Sequence, residues 1–275
     1  MLDYRVIINQ GRVADRTDGA LVGARKAGHA LAEHLSIEPT VVGQPSPAAQ
    51  DDWRPALDQA ADTLRGLAAA VGSALDAHEV PLLVTNTCAA SLATLPVAAE
   101  RYPDAAVLWI DAHGDFNTPD TTESGYLGGM ALAGACGLWD SGHGGTVDPE
   151  NVILVGARDI DAAEMDLLQH AGVTILSPED ASPEAVQELV AGRPVWIHVD
   201  WDVLEPGYIP AAYKIPSGLL PRQVAAIFAA LPSESIRGVE LAEFEAGDPD
   251  VPEALSVELI VETFQHLQQP VELHR

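Results

Sequence analysis

Eight short runs of aliphatic and β-branched residues, separated by longer Ala- and Leu-rich stretches, constrain the fold of this chain more than any other feature. The runs are YRVIIN (Tyr4 to Asn9), TVVG (Thr40 to Gly43), PLLVT (Pro81 to Thr85), AVLWI (Ala106 to Ile110), VILVG (Val152 to Gly156), VTIL (Val173 to Leu176), VWIHV (Val195 to Val199) and IRGVEL (Ile236 to Leu241). They are apolar nearly throughout, the pattern of strands covered on both faces. Between them ALVGARKAGHALAEHL, ALDQAADTLRGLAAAVGSALDAH, PEAVQELVAG and PRQVAAIFAAL carry apolar residues at helical period. No Ser/Gly-rich linker and no repeat period interrupts the alternation. The sequence therefore predicts one α/β domain over residues 1–275, three layers built on a mostly parallel sheet of about eight strands flanked by helices. The Pro- and Ala-rich piece from Gly43 to Ala56 reads as a surface loop. In such sheets ligands gather beyond the carboxyl ends of the strands, so polar residues just after an apolar run carry the functional reading.

Charge narrows the partners. The 275 residues hold 41 Asp and Glu against 14 Lys and Arg, a formal net charge of -27, and a surface this acidic repels phosphate backbones and anionic headgroups. Nucleic acid and membrane are thereby excluded as expected partners, and a small molecule and divalent cations are favoured. The opening MLDYRVIINQ lacks a basic stretch followed by an apolar run, so no secretory signal is expected. No apolar run approaches the roughly twenty residues of a membrane-spanning helix. Cys88 and Cys136 lie in unrelated contexts and do not suggest a disulfide framework, which fits a reducing cytoplasm. Nothing in the sequence specifies an oligomeric state.

Two strand ends carry the chemistry. In AVLWIDAHGDFN, Asp111, His113 and Asp115 follow the strand at i, i+2 and i+4, which in an extended segment puts all three side chains on one side of the chain. In VWIHVDWD, Asp200 and Asp202 repeat that spacing. Four carboxylates and one imidazole form an oxygen-rich set suited to two hard divalent ions, Mn²⁺ above Zn²⁺. Without a cation these acids would repel one another and raise each other's pKa, a costly arrangement for a purely structural role. His198 precedes Asp200 within the strand; it is expected to point to the opposite face and to be a satisfied core histidine. His29, His34, His78, His170, His266 and His274 read as surface residues, and Cys136 as packing.

These residues resemble the ureohydrolases, the family of arginase and agmatinase, whose first metal motif is DAHxD and whose second is DxDxxDP; here the second is DWDVLEP, with Glu205 at the usual aspartate. GARDID (Gly156 to Asp161) and GVELAEFE (Gly238 to Glu245) extend the resemblance over most of the chain in the expected order. The resemblance implies an arginase-like fold. It also implies two Mn²⁺ ions that activate a hydroxide to attack the guanidinium carbon, releasing an amine and a urea. By the same resemblance Asp111 and Asp200 bridge both ions, His113 and Asp202 bind one, and Asp115 binds the other and handles the proton. Glu243 matches the glutamate that pairs with the guanidinium, a planar fork that a carboxylate can meet with two parallel hydrogen bonds. Asn117 and Ser124 resemble the residues that hold an α-carboxylate, and Asp161, with Asp159 beside it, the acid that receives the α-amino group. Read locally, Asn117 and Ser124 are turn residues and Asp161 a helix N-cap.

The sequence departs from the family at three places. Where the first metal histidine stands in a GGDHS segment, this chain has VTNTCAAS, with Cys88 at the histidine and Thr85-Asn86 at the glycines. A thiolate is a soft ligand poorly matched to Mn²⁺, so one of the two sites should be weakened. Gly128 occupies the position of a histidine that arginases use as a proton shuttle, and Lys214 that of a threonine near the guanidinium, although it also reads as a surface lysine. The departures resemble the branch of the family that hydrolyses Nω-hydroxy-L-arginine to L-ornithine and hydroxyurea in D-cycloserine biosynthesis. The alternatives are an arginase, another guanidino acid hydrolase, or a metal-poor pseudoenzyme.

Overall fold

The computed structural model describes residues 2–268, so the ends of the expected 1–275 span and His274 lie outside the described residues. Its strands follow the apolar runs: β1 (Tyr4–Asn9), β2 (Thr40–Val42), β3 (Val80–Val84), β4 (Ala106–Ile110), β5 (Val152–Val155), β6 (Thr174–Leu176), β7 (Val195–Asp200) and β8 (Ile236–Ala242). They form one sheet in the order β2-β1-β3-β8-β7-β4-β5-β6. Every strand pair in it is parallel, beyond the mostly parallel sheet expected.

The helices are α1 (Gly19–Leu35), α2 (Trp53–Asp76), α3 (Ser91–Arg101), α4 (Ala131–Ala135), α5 (Ala162–Ala171), α6 (Pro183–Val190), α7 (Pro221–Ala230) and α8 (Glu253–Gln265). Side chains alternate across each strand, so each strand feeds two apolar layers. On one face α1, α6, α7 and α8 pack over Val6, Ile8, Leu82, Leu108, Ile197 and Val239. On the other, α2, α3, α4 and α5 pack over Ile7, Leu83, Trp109, Leu154 and Trp196. This double cover is why the strands read as continuous apolar runs. No helix among the described residues is long and apolar enough to cross a membrane.

Local chemistry sets the helix ends. The Asp52 carboxylate accepts from Trp53 N at 2.9 Å, which starts α2 three residues before the end of the loop expected at Gly43 to Ala56. Ser182 accepts from Ala185 N at 3.1 Å to open α6, with Pro183 in its first turn. Gly172 closes α5 at φ +80°, a left-handed position that an L side chain takes up only with strain.

Beyond the ends of β1 and β3, apolar packing gives way to a buried polar cluster. Asn9 donates to Thr85 Oγ1 at 3.2 Å and to Asn86, while Asn86 donates to Gly11 O at 3.1 Å and to Asp15. Val13 N donates to Asp15 Oδ2 at 2.7 Å, and Asp15 Oδ1 is buried with no partner. Thr85 and Asn86, which replace the glycines of the resembled motif, thus pin the loop after β1 to the segment leading to Cys88. Burial raises the Asp15 carboxyl to about 6, outweighing hydrogen bonds from Val13 and Asn86 that lower it. The folded chain therefore keeps this proton over a pH range in which the unfolded chain has lost it, and stability falls as pH rises through that range. Wild type is expected to lose about 2 kcal/mol relative to Asp15→Asn between pH 4 and pH 7, read from urea midpoints. Parallel pH curves would show that Asp15 carries no such linkage.

Candidate metal centre

Four adjacent strands at the middle of the sheet, β3, β8, β7 and β4, deliver Cys88, Glu243, Asp200 with Asp202, and Asp111 with His113 and Asp115 to one end of the sheet. There they meet a cavity of about 260 Å³, lined among others by Cys88, His113, Asp115, Asp200 and Glu243. The expected ligands therefore converge, but not by the pleat of an extended strand. The chain bends through Asp111 to His113, and Asp115 sits at φ +49°. After Asp200 a 3₁₀ turn runs from Trp201 to Val203. The cause is local: Asp111 Oδ1 accepts from His113 N at 2.7 Å, and Asp200 Oδ1 from Asp202 N at 2.8 Å. An aspartate that bonds the N–H two residues on folds its own chain into a turn.

The cluster is tightly knit. His113 Nδ1 lies 3.0 Å from Asp202 Oδ2 and 3.4 Å from Asp111 Oδ1. Ala112 N donates to Asp202 at 3.2 Å, and Trp109 Nε1 to Asp111 Oδ2 at 2.9 Å. Burial, and then neighbouring carboxylates, push Asp115, Asp200 and Asp202 above the ordinary carboxylate range. Burial acts the same way on Asp111, but hydrogen bonds from His113 outweigh it and hold Asp111 low. His113 is the counterpart: burial opposes its charge, and Asp111 and Asp202 raise it nonetheless. Asp115 Oδ2 is buried with no hydrogen-bond partner. Ligand atoms of Asp111, His113 and Asp202 lie within 4.8 Å of one another, as do those of Cys88, Asp200 and Glu243. These oxygen-rich sets, together with the unpartnered Asp115 oxygen that lines the same cavity, fit a divalent cation.

Cys88 opens the turn before α3, and its thiol donates to Asp200 Oδ2 at 3.3 Å. Burial first, then Asp200, Asp115 and Asp111, raise the thiol, so it keeps its proton while no cation is present. His198 is buried and hydrogen-bonded, as expected of a satisfied core histidine, but it does not point to the opposite face. Residues 198 and 200 are two apart in β7 and share a face, and His198 Nε2 lies 3.3 Å from Cys88 Sγ. Its Nδ1 lies 2.9 Å from Glu240 and 3.1 Å from Ser91 Oγ, and its ring stacks on Trp109 with centroids 3.6 Å apart. Glu240 also accepts from Ser91 and Thr94. A charged residue in the middle of an apolar run was the available signal for Glu240, because a buried carboxylate must find partners.

On the outer side, Asn117, Ser124, Asp159 and Asp161 all line the cavity. Asp161 does cap α5, accepting from Glu164 N at 2.8 Å, while its other oxygen accepts from Asn117 at 3.1 Å. Asp159 lies 3.7 Å from His113 Nε2, with no hydrogen bond to Asp161. Lys214 pairs with Asp248 at 2.8 Å on the surface, in line with its surface reading. Three cavity residues escaped the sequence reading. Glu164 accepts from Phe116 N at 2.7 Å, and burial raises it to about 7. Tyr126 donates its hydroxyl to Glu243 Oε1 at 3.1 Å, and Tyr213 stands edge-on to His113. Arg158, beneath the metal loops, donates to the carbonyls of Asp202 at 2.9 Å and Ile215 at 2.7 Å, fastening the segments that follow β7.

The chain belongs to the arginase family, which it matches over residues 18–264, and it is a hydrolase of the ureohydrolase type. It is 53% identical over 241 residues to the N(omega)-hydroxy-L-arginine amidinohydrolase of Streptomyces lavendulae, a match covering 88% of each chain. It is 29% identical over 158 residues to the arginase of Bacillus subtilis, covering 52% of this chain and 53% of that one. A crystal structure of Bacillus subtilis arginase shares the fold with a TM-score of 0.86 at 23% identity, over 99% of this chain and 100% of the other.

Buried carboxylates that repel one another make the centre a source of instability, which a bound cation would relieve. Asp200→Asn is expected to stabilise the metal-free protein by about 1–2 kcal/mol at pH 8 and to abolish the rise in Tm that divalent cations give the wild type. Thermal scans with and without chelator check both, and a metal-free variant less stable than wild type would contradict the repulsion.

Proposed function

We propose that this chain hydrolyses Nω-hydroxy-L-arginine to L-ornithine and hydroxyurea with two Mn²⁺ ions. The observation that carries the reading is the 53% identity, over 88% of the chain, to a protein named for action on that substrate. Cys88 and Gly128, which replace the histidines of the resembled arginase pattern, support it. Two divalent ions, when bound, would supply an activated water and neutralise the carboxylates. Asp111 and Asp200 would be shared between the ions. His113 and Asp202, 3.0 Å apart, would hold one, and Asp115 with Cys88 the other. The weak match of sulfur to Mn²⁺ makes that second ion the more easily lost.

The residues around the cavity divide the remaining work. Asp115 is buried, with one oxygen free of hydrogen bonds and a pKa raised by burial and by Asp111. It is suited to take a proton from water and return it to the leaving group. Glu243, at φ +64° directly after β8, presents a carboxylate to the guanidine end of the substrate. Asn117, Ser124 and Asp161 stand at the outer end, where an α-carboxylate and an α-amino group would bind, with Asp159 between them and His113. The free thiols of Cys88 and Cys136 accord with a cytoplasmic setting. The substrate choice implies a biosynthetic role.

The test is L-ornithine release from Nω-hydroxy-L-arginine and from L-arginine by the Mn²⁺-loaded protein, compared as kcat/KM. We expect at least a roughly tenfold preference for the hydroxylated substrate, hydroxyurea in equal amount with L-ornithine, and loss of activity on chelation with recovery on adding Mn²⁺. A preference for L-arginine would make the chain an arginase with an exchanged ligand. A protein that binds no metal would be a pseudoenzyme.

A further inference from the structure

Glu243 is held in an unusual way for a residue that must grip a guanidine. Its Oε1 accepts two hydrogen bonds, from Cys88 N at 3.2 Å and from the Tyr126 hydroxyl at 3.1 Å, whereas Oε2 has no hydrogen-bond partner among the described residues. A carboxylate oxygen offers about two lone-pair sites, so Oε1 is saturated. A guanidinium fork is recognised in full only by two free oxygens accepting two parallel N–H groups. As built, Glu243 has one.

Tyr126 owes its position to Gly128. A Cβ placed on Gly128 would clash with the Tyr126 ring, closest to Cε1 and then Cζ and the hydroxyl. The phenol therefore fills the space beside residue 128 and could not stay there if residue 128 carried a side chain. From the other side the Arg16 guanidinium lies 4.7 Å from the ring centroid and donates to Ser124 O at 3.1 Å, clamping the turn that carries Tyr126. Burial, and then the charge of Glu243, raise the Tyr126 hydroxyl, which stays protonated and donates.

We propose that Tyr126 is a specificity-determining positioning residue, which occupies one side of Glu243 Oε1 so that the carboxylate meets the substrate through Oε2 alone. A one-oxygen acceptor gives no reward for the second N–H of an unmodified guanidinium. A hydroxyguanidine, in which an N–OH replaces one terminal N–H, loses less there, so the arrangement disfavours L-arginine relative to Nω-hydroxy-L-arginine. The inference rests on the proposed function for the identity of the two substrates.

Tyr126→Phe removes only the hydroxyl and frees a lone pair on Oε1. The ratio of kcat/KM for Nω-hydroxy-L-arginine to that for L-arginine is expected to fall about tenfold, the worth of one hydrogen bond to a charged group. Gly128→Ala, which pushes the phenol off Glu243 from outside, should move the ratio in the same direction. By calorimetry Tyr126→Phe should bind L-arginine several-fold more tightly and L-ornithine, which has no guanidine, unchanged. In a Glu243→Gln background the Tyr126→Phe effect on L-arginine binding should vanish. An unchanged ratio and unchanged L-arginine affinity overturn the proposal, as does equal weakening of L-arginine and L-ornithine, the mark of a merely structural role. A wild type that binds L-arginine but turns over neither guanidine removes the proposed function while the calorimetry still decides on Tyr126. A wild type that binds neither L-arginine nor Nω-hydroxy-L-arginine overturns both.

Discussion

The structure depends on one constraint: several carboxylates must be buried together at the end of a parallel sheet without a counter-charge of equal size from the protein. Asp111, Asp115, Asp200 and Asp202 are each at most 6% exposed, and His113 is the cation-capable side chain that pairs with Asp111 and Asp202. The protein settles this unevenly. Asp111 is kept ionised by His113 and Trp109, whereas Asp115, Asp200 and Asp202 are pushed toward their neutral forms. Such a site is unstable in isolation, and a divalent cation held there would relieve it, linking the fold of this region to the proposed chemistry.

Behind the cluster, polar groups are linked in hydrogen-bonded chains. Glu240 gathers Ser91, Thr94 and His198, and His198 in turn meets Cys88 and stacks on Trp109. Beside it, Asn9, Thr85, Asn86 and Asp15 secure the segment that carries Cys88. A histidine is therefore present near the thiol, supplied by β7 and not by the turn before α3. Cys88 and His198 should be read as a pair, since the imidazole nearest residue 88 is carried by β7, two strands from β3 in the sheet.

Around the cavity, the departures from the resembled pattern also prove to be connected. Gly128 lacks a side chain because the Tyr126 ring fills its space, and Tyr126 in turn reaches Glu243. Glu243 and Asp115, the two residues assigned the most direct work on the substrate, both sit at positive φ. That region is tolerated by Asp but uncommon for Glu, so the strain at Glu243 must be offset by the surrounding contacts.

The eight strands, the helices between them and the acids at two strand ends were legible in the sequence because each depends on local period and on residue type. AVLWI reads as a strand covered on both faces, and an Asp directly after it stands at the carboxyl end of the sheet. The resemblance also located Glu243, Asn117, Ser124 and Asp161. What the sequence did not disclose involves partners distant along the chain: His198 against Cys88, Tyr126 against Glu243, Glu164 against Phe116. The turns at Asp111 and Asp200 were misjudged as extended because side-chain bonds to the backbone compete with the strand's period. Sequence by itself therefore determined the layers, the parallel sheet and the donor types. Tertiary structure alone decided which oxygen of Glu243 is free and which histidine faces the thiol, because hydrogen bonds between separate strands depend on register and packing that local pattern does not encode.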